Sequence, residues 1–293
     1  MKKVLVLISI IFYSNFLLAA SLEGISENRM LRFSQACRIA ASEGATYTLS
    51  LDAMPEGVNY EDWCGLSSLE NLPDAGRINV SNSARDLPEK FDWRDKNAVS
   101  QVKNQGGSMT CWAFALTGVF ESVIMMKTHT QVILSEQDLV NCNQYGYSCQ
   151  GGKLDAGKYF QDIGAALSKD CPYVGQDTAC NNALSRPYKI TSWSFLGQTP
   201  SVEEIKQAIM SSGPVACAVT IDNNFGLYSG GVYNHDAQGP VNHGVILVGW
   251  FDRMGNGCWI LKNSGGAQWG VKGFMYIEYG KSHVGTTPVV MTY

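Results

Sequence analysis

Residues 243–263 read HGVILVGWFDRMGNGCWILKN. Two apolar runs, Gly244–Trp250 and Cys258–Asn263, flank a loop carrying Gly255-Asn256-Gly257, the pattern of an antiparallel hairpin. A turn centred on Met254 brings His243 and Asn263 close together at the open end of that hairpin. An Asn side chain so placed holds an imidazole in one tautomer and rotamer, its amide oxygen accepting a ring N–H. Taken alone, the pair is better read as a half-exposed strand-end His with no task.

The segment upstream changes that balance. Gln105-Gly106-Gly107-Ser108-Met109-Thr110 is a loop, and Cys111 opens a stretch to Lys127 with apolar residues at 112, 116, 119, 120, 123 and 124. That spacing predicts a helix. A thiol at a helix N-terminus meets the positive end of the dipole, which favours the attacking thiolate, and a nearby imidazole would complete a thiolate–imidazolium pair. The competing reading of Cys111 is a small buried hydrophobe.

Further out, Ser135-Glu136-Gln137-Asp138 predicts a capped helix ending near Asn141, and Ser201–Ser211 another. Strands are expected at Val215–Ile221, Val245–Gly249, Cys258–Lys262 and Phe274–Glu278. Within residues 87–293 the first half is therefore mainly α and the second mainly β, an α+β domain without repeats. Ahead of it, residues 21–86 are polar and uneven, with a helical stretch near Glu27–Ser42 and a loop rich in Asn, Ser and Asp. The texture changes at Leu87-Pro88. We read 21–86 as a detachable pro-segment and 87–293 as the working domain, since nicking concentrates in exposed linkers.

Composition sets the class. Of 293 residues 45% are hydrophobic and 16% charged, enough for a real core, and a net charge of −4 with no basic run argues against a nucleic-acid surface. Lys2 and Lys3 precede an apolar stretch from Val4 to Ala20 that ends in small residues, which reads as a signal peptide over residues 1–20. That implies the secretory pathway, a lysosomal or digestive-vacuole or extracellular destination, and no membrane contact after cleavage. Asn79-Val80-Ser81 is then a glycosylation sequon. Nine cysteines suit an oxidising route and leave at least one free thiol. No Cys-x2-Cys pair occurs and the four histidines are scattered, so no metal or other cofactor is expected. Cys37 and Cys64 are a candidate bridge.

Gln105-x5-Cys111-Trp112-Ala113-Phe114, Val241-Asn242-His243-Gly244 and Lys262-Asn263-Ser264 together resemble the papain family of cysteine peptidases. His243 and Asn263 follow Cys111 by 132 and 152 residues, in or near the spacing of that family. Phe91-Asp92-Trp93-Arg94 is similar to the family's mature N-terminus, Leu134–Val140 to its second helix, and Cys149-Gln150-Gly151-Gly152 to its substrate-edge loop. The resemblance spans nearly all of 87–293. Arg29-x3-Phe33 and Tyr47–Leu51 faintly resemble the inhibitory propeptide of the cathepsin L-like branch, although 66 residues is short for it.

The resemblance implies a two-lobed fold, a helical lobe at about 87–195 and an antiparallel β-barrel lobe at about 196–293, with a cleft between. It implies an endopeptidase zymogen, monomeric, acting on proteins and peptides and inhibited by its own propeptide. Cys111 would attack, His243 would shuttle the proton and Asn263 would orient it. Gln105 would donate to the oxyanion with the Cys111 N–H. Gly151 and Gly152 would pair with an extended substrate and Asn242 would flank it. Leu154 and Ala218 would line an apolar S2 pocket taking Leu, Val or Phe, while Lys153 reads as solvated. Cys142–Cys180 is the disulfide the resemblance implies.

Three departures lie near the chemistry. Ser108 removes one end of a disulfide whose other end would be Cys149, leaving Cys171 as its candidate partner. Met109 stands where glycine lines S1 and is expected to narrow it. Gly265 replaces a Trp that covers the Asn–His bond, so water is expected to compete there at a cost of about 1 kcal/mol; Trp269 is retained and could cover part of the site. A second class of function follows from these changes, a peptidase-fold protein that binds peptides or a partner without efficient turnover.

Overall fold

The computed structural model describes residues 26–67 and 87–293. The Val4–Ala20 stretch and the Asn79 sequon lie outside the described residues. Among the described residues no helix is long and apolar enough to cross a membrane.

Helix α1 spans Glu27–Ser42, as its pattern predicted, with Ser26 accepting from Arg29 N at its start. The Arg29 guanidinium donates to the carbonyls of Leu51 and Met54, tying α1 to the segment that follows. That segment carries strand β1, Tyr47–Leu49, and a 3-10 turn at Tyr60–Trp63. Strand β2, Lys90–Asp92, opens the larger part of the chain.

Helix α2, Cys111–Thr128, is buried at every residue from Cys111 to Ile124. It is apolar nearly all round because structure covers both its sides. Gly118 lets the Ile246 side chain seat against the helix; a Cβ there would lie 2.5 Å from Ile246 Cδ1. Helix α3, Glu136–Cys142, starts where Ser135 Oγ accepts from Asp138 N, and α4 covers Lys158–Asp162. The Cys142–Cys180 disulfide is closed, with Cα atoms 4.9 Å apart.

The remaining elements are β3 (Ser192–Phe195), α5 (Val202–Ser212), β4 (Val215–Val219), α6 (Asn223–Gly226), β5 (Tyr228–Tyr233), β6 (His243–Phe251), β7 (Cys258–Lys262), β8 (Phe274–Glu278) and β9 (Thr286–Thr292). Helix α5 opens with a capping box between Ser201 and Glu204. The strands hydrogen-bond in the order β1-β5-β8-β7-β6-β4-β9-β3, with β2 added on β6. This corrects the expected antiparallel barrel in two respects. The β5–β8 pair is parallel, and the sheet does not close on itself. Its edge strands are β1, from the N-terminal segment, and β3, which pair with β5 and β9 and not with each other. Strands β2 and β3 also bring the first half of the chain into the sheet of the second.

Strand β4 reads Val-Ala-Cys-Ala-Val because it is buried on both faces. Ala216 and Ala218 join the apolar cluster around α2; Val215, Cys217 and Val219 join a second cluster with Trp250, Trp259 and Trp269. The β6–β7 hairpin keeps the register Phe251↔Cys258 and Trp250↔Trp259, then a bulge at Val248 shifts it to Leu247↔Leu261 and Ile246↔Lys262. Beyond the bulge the pairing is centred on Met254, and His243 and Asn263 meet at the open end.

The candidate bridges Cys37–Cys64 and Cys149–Cys171 do not form. Cys37, Cys64, Cys149 and Cys171 are free thiols. Cys64 Sγ donates to Tyr60 O within its own turn. Cys149 faces the Ser108 hydroxyl and takes Asp177 Oδ1 on its backbone N–H, while Cys171 O accepts from Ser135 Oγ at the start of α3.

Candidate active site

Cys111 is the first residue of α2, and Thr110 before it makes no side-chain cap because its hydroxyl is engaged by Tyr173 Oη at 2.6 Å. Ala113 N and Phe114 N donate to Thr110 O, which leaves the N–H groups of Cys111 and Trp112 to face a negative charge. These two, with the backbone N–H groups of Gly244 and Gly65, face the thiol and pull its pKa down. Burial dominates nonetheless: Cys111 is 0% exposed and its pKa is pushed up to about 11. In this state the thiol is protonated.

His243 is also 0% exposed. Its Nε2 lies 2.8 Å from Asn263 Oδ1 and its Nδ1 2.8 Å from the carbonyl of Trp63. Only an imidazolium could donate to both oxygens, yet burial holds the pKa below the ordinary value against the pull of these two acceptors. Asn263 Oδ1 also accepts from Ser264 N, which fixes the amide. Its Nδ2 is buried with no partner. Burial thus favours the neutral forms of both Cys111 and His243.

The other predicted residues surround this pair. Gln105 Nε2 donates to Ser108 O at 2.7 Å, and its Oε1 accepts from Ser264 Oγ at 2.6 Å, so the amide orientation is set from both ends. Met109 is half-buried and its N–H is held by Cys149 O. Gly152 backs onto Trp112; a Cβ there would lie 2.6 Å from the indole. Gly151 has φ +132°, a backbone that L side chains rarely adopt. Leu154 and Ala218 are fully buried in the cluster that also contains Leu66. The Asn242 side chain grips both backbone groups of Ile221, leaving its carbonyl to face the cleft. Lys153 is half-buried at the start of a short 3-10 turn.

The resemblance implied inhibition by the propeptide, but sequence reasoning did not find which of its residues fill the cleft. Residues 63–67 of the N-terminal segment run directly across Cys111. Leu66 N donates to Asn242 O, Ser67 N to Gly152 O, and Gly152 N to Gly65 O, in a parallel bridge. Gly65 sits so close that a Cβ would fall 1.9 Å from Met109 O. An inverse γ-turn at Cys64 (φ −74°, ψ 59°) aims the Trp63 carbonyl at His243. The signal was a lone Trp-Cys-Gly in an otherwise polar segment.

Trp63 also corrects the expectation of a bare His–Asn pair. Its indole is 1% exposed and stacks on His243 with centroids 6.3 Å apart at 25°. It meets Trp269 edge-on at 6.2 Å, while Phe225 lies edge-on to the imidazole at 5.9 Å. The ring occupies the space over Gly265, where a Cβ would lie 2.6 Å from Trp63 Cη2. Burying an indole of about 200 Å² is worth about 5 kcal/mol to docking of the segment. Trp269 packs on Trp63 and Phe225 and supports the cover.

Behind the pair, Lys103 Nζ binds Glu121 and Glu136 at 2.6 Å each. Lys262, next to Asn263, donates to Ser100 Oγ, and burial lowers its pKa to about 8. Burial raises Glu136 to about 7 against the pull of Lys103.

The sequence model described as papain family cysteine protease matches residues 87–292. A cathepsin L-like proteinase of Fasciola hepatica is 32% identical over 240 residues, 78% of this chain and 73% of the relative. The cysteine proteinase RD21A of Arabidopsis thaliana is 35% identical over 195 residues, 65% of this chain; the match spans 42% of that relative's length. Among solved structures, the proform of the ragweed pollen cysteine protease Amb a 11 superposes with a TM-score of 0.79 at 29% identity. That match covers 91% of this chain and 87% of the other.

Proposed function

The chain belongs to the papain family of cysteine proteases, and on that premise we propose that it is a cysteine endopeptidase made as a latent zymogen. The observation that carries this reading is the imidazole of His243 held by Asn263 Oδ1, next to Gly244, which packs against the backbone of Cys111 at the head of α2. After release of the segment that ends before Leu87, solvent and His243 reach Cys111, and the burial that keeps both groups neutral is relieved. The thiolate–imidazolium pair then forms, and the α2 N-terminus favours the thiolate.

Cys111 Sγ attacks the scissile carbonyl. One amide N–H of Gln105 and the Cys111 backbone N–H hold the oxyanion. As it collapses the C–N bond breaks, and His243 gives its proton to the departing amine, leaving a thioester. His243 next takes a proton from water, whose hydroxyl displaces the Cys111 thiolate and frees the acid. Asn263 orients the ring throughout. Gly151, Gly152 and Asn242 supply backbone pairing to the acyl side of the substrate, the role that Gly65–Ser67 now occupy. Leu66 packs in the cluster with Leu154 and Ala218, which supports Leu, Val or Phe two residues before the scissile bond. We assign the half-buried Met109 to the wall of S1.

Chain direction supports latency. His243 protonates the leaving amine, so the C-terminal product lies on its side of Cys111. The N-terminal segment runs the other way, with Trp63 at His243 and Ser67 at Gly152. Its peptide bonds therefore face Cys111 with reversed polarity. We assign the chain to the secretory route, towards a lysosome, a digestive vacuole or the exterior, and read it as a monomer.

The test is labelling of the acid-processed protein by a biotinylated epoxide that alkylates competent thiolates. Wild type is expected to label, Cys111→Ala not at all, and Asn263→Ala more slowly. A folded, processed protein that takes no label would sink the peptidase reading in favour of peptide binding without turnover.

A further inference from the structure

Trp63 is held as a ligand is held. Its Nε1–H donates to Gly106 O at 3.2 Å, one face lies on His243, its edge meets Trp269, and its far rim fills the volume above Gly265. Trp269 is itself fixed, its indole N–H on Gly226 O at 3.1 Å and its ring stacked on Phe225 at 5.1 Å. The walls thus belong to residues 106–269, while the occupant belongs to a segment that the proposed processing removes. Gly265 is what makes room, since a side chain at 265 and the indole cannot coexist.

We infer that Gly106, His243, Gly265 and Trp269 form a socket for one indole-sized aromatic side chain. Trp63 fills it in the latent chain, and the residue just after the scissile bond of a substrate fills it in the processed one. This rests on the peptidase reading. The group leaving as an amine must sit beside its proton donor, His243, and the socket abuts that ring on the side of Cys111 away from Gly152. A substrate residue entering there gains the hydrogen bond to Gly106 O if it is Trp, and stacking on His243 if it is any aromatic. It also restores the cover over the His243–Asn263 bond, so an aromatic residue should raise turnover as well as binding.

Two measurements test this. In the first, indole is titrated calorimetrically into full-length Cys111→Ala chains, which cannot process themselves. The chain also carrying Trp63→Ala is expected to bind one indole saturably. The chain retaining Trp63 should bind none, nor should the one carrying Trp63→Ala with Gly265→Trp. No binding to a folded Trp63→Ala chain would overturn the socket. In the second, acid-processed wild type and Gly265→Trp cleave quenched peptides differing only after the scissile bond, Trp against Ala. Wild type is expected to favour Trp at least ten-fold in kcat/KM and Gly265→Trp to favour neither. A ratio near one in wild type, or one that survives Gly265→Trp, overturns the proposal even if Trp63→Ala fails to fold. If processed wild type cleaves neither peptide, the peptidase reading fails, and the indole titration alone decides the socket.

Discussion

Replacing Gly65 with alanine should unlock the latent chain. The added Cβ would lie 1.9 Å from Met109 O, 2.3 Å from its carbonyl carbon and 2.8 Å from its Cα, all backbone atoms that no rotamer change can move aside. Met109 is pinned by its N–H on Cys149 O at 3.1 Å, so the yielding partner is the N-terminal segment. A retreat of about 1 Å breaks the bonds of Leu66 N to Asn242 O, Ser67 N to Gly152 O and Gly152 N to Gly65 O, now 2.9–3.0 Å. At about 1 kcal/mol each the loss is about 3 kcal/mol, or roughly 100-fold in the closed-to-open ratio. The assay is the rate at which a thiol-alkylating epoxide labels Cys111 in the uncleaved full-length chain at neutral pH. Gly65→Ala is expected to label about 100-fold faster than wild type, with Ser67→Ala, which keeps the backbone bonds, as the unchanged control. Rates for Gly65→Ala within about three-fold of wild type, in a folded chain, would refute the close-packed path of residues 63–67 over the thiol.

Three further outcomes follow from the charges and the cross-link. His235 bridges Glu43 of the N-terminal segment and Asp222 at 2.6 and 2.7 Å; burial opposes its charge, but the two carboxylates raise its pKa to about 9. A raised folded pKa gives stability that is full below about 6.5 and lost as pH climbs through 9, so docking of α1 should weaken across that window. The loss stays under about 3 kcal/mol because Glu43 and Asp222 are 41% and 34% exposed, and the difference in melting against pH between the Cys111→Ala chain with and without His235→Gln measures it. Lys262 carries a folded pKa near 8, below its unfolded value, so stability should rise with pH between about 8 and 10.5. Lys262→Met removes that penalty but strands Ser100, for a net gain of about 1–2 kcal/mol at pH 7 in denaturant titration. Breaking Cys142–Cys180, whose partners are 38 residues apart, should cost about 3–4 kcal/mol and lower Tm by about 10 °C in the double serine variant.

Local patterns made much of the molecule legible. The bounds of α1 and of β7 and β8 matched their periodicity, and the helix opening at Cys111 and the β6–β7 hairpin followed from apolar spacing and a glycine-rich loop. These features depend on residues a few positions apart, so the chain carries them wherever it goes. Strands β5 and β9 went unread: β5 carries a Gly-Gly pair and β9 a proline, and each gains its strand identity from partners far away.

The proximity of His243 and Asn263 was likewise written in the sequence, because a hairpin register is a local quantity and the bulge at Val248 merely restored the expected centre. What covers them was not. Gly265 read as a defect, a missing cover that would let water in. Only packing shows that its emptiness is filled by Trp63, brought there by α1, by the β1–β5 pairing and by the turn at Cys64. A void and the ring that fills it leave no shared periodicity when they are distant in sequence. Their fit exists only as volume, and tertiary structure alone decides volume.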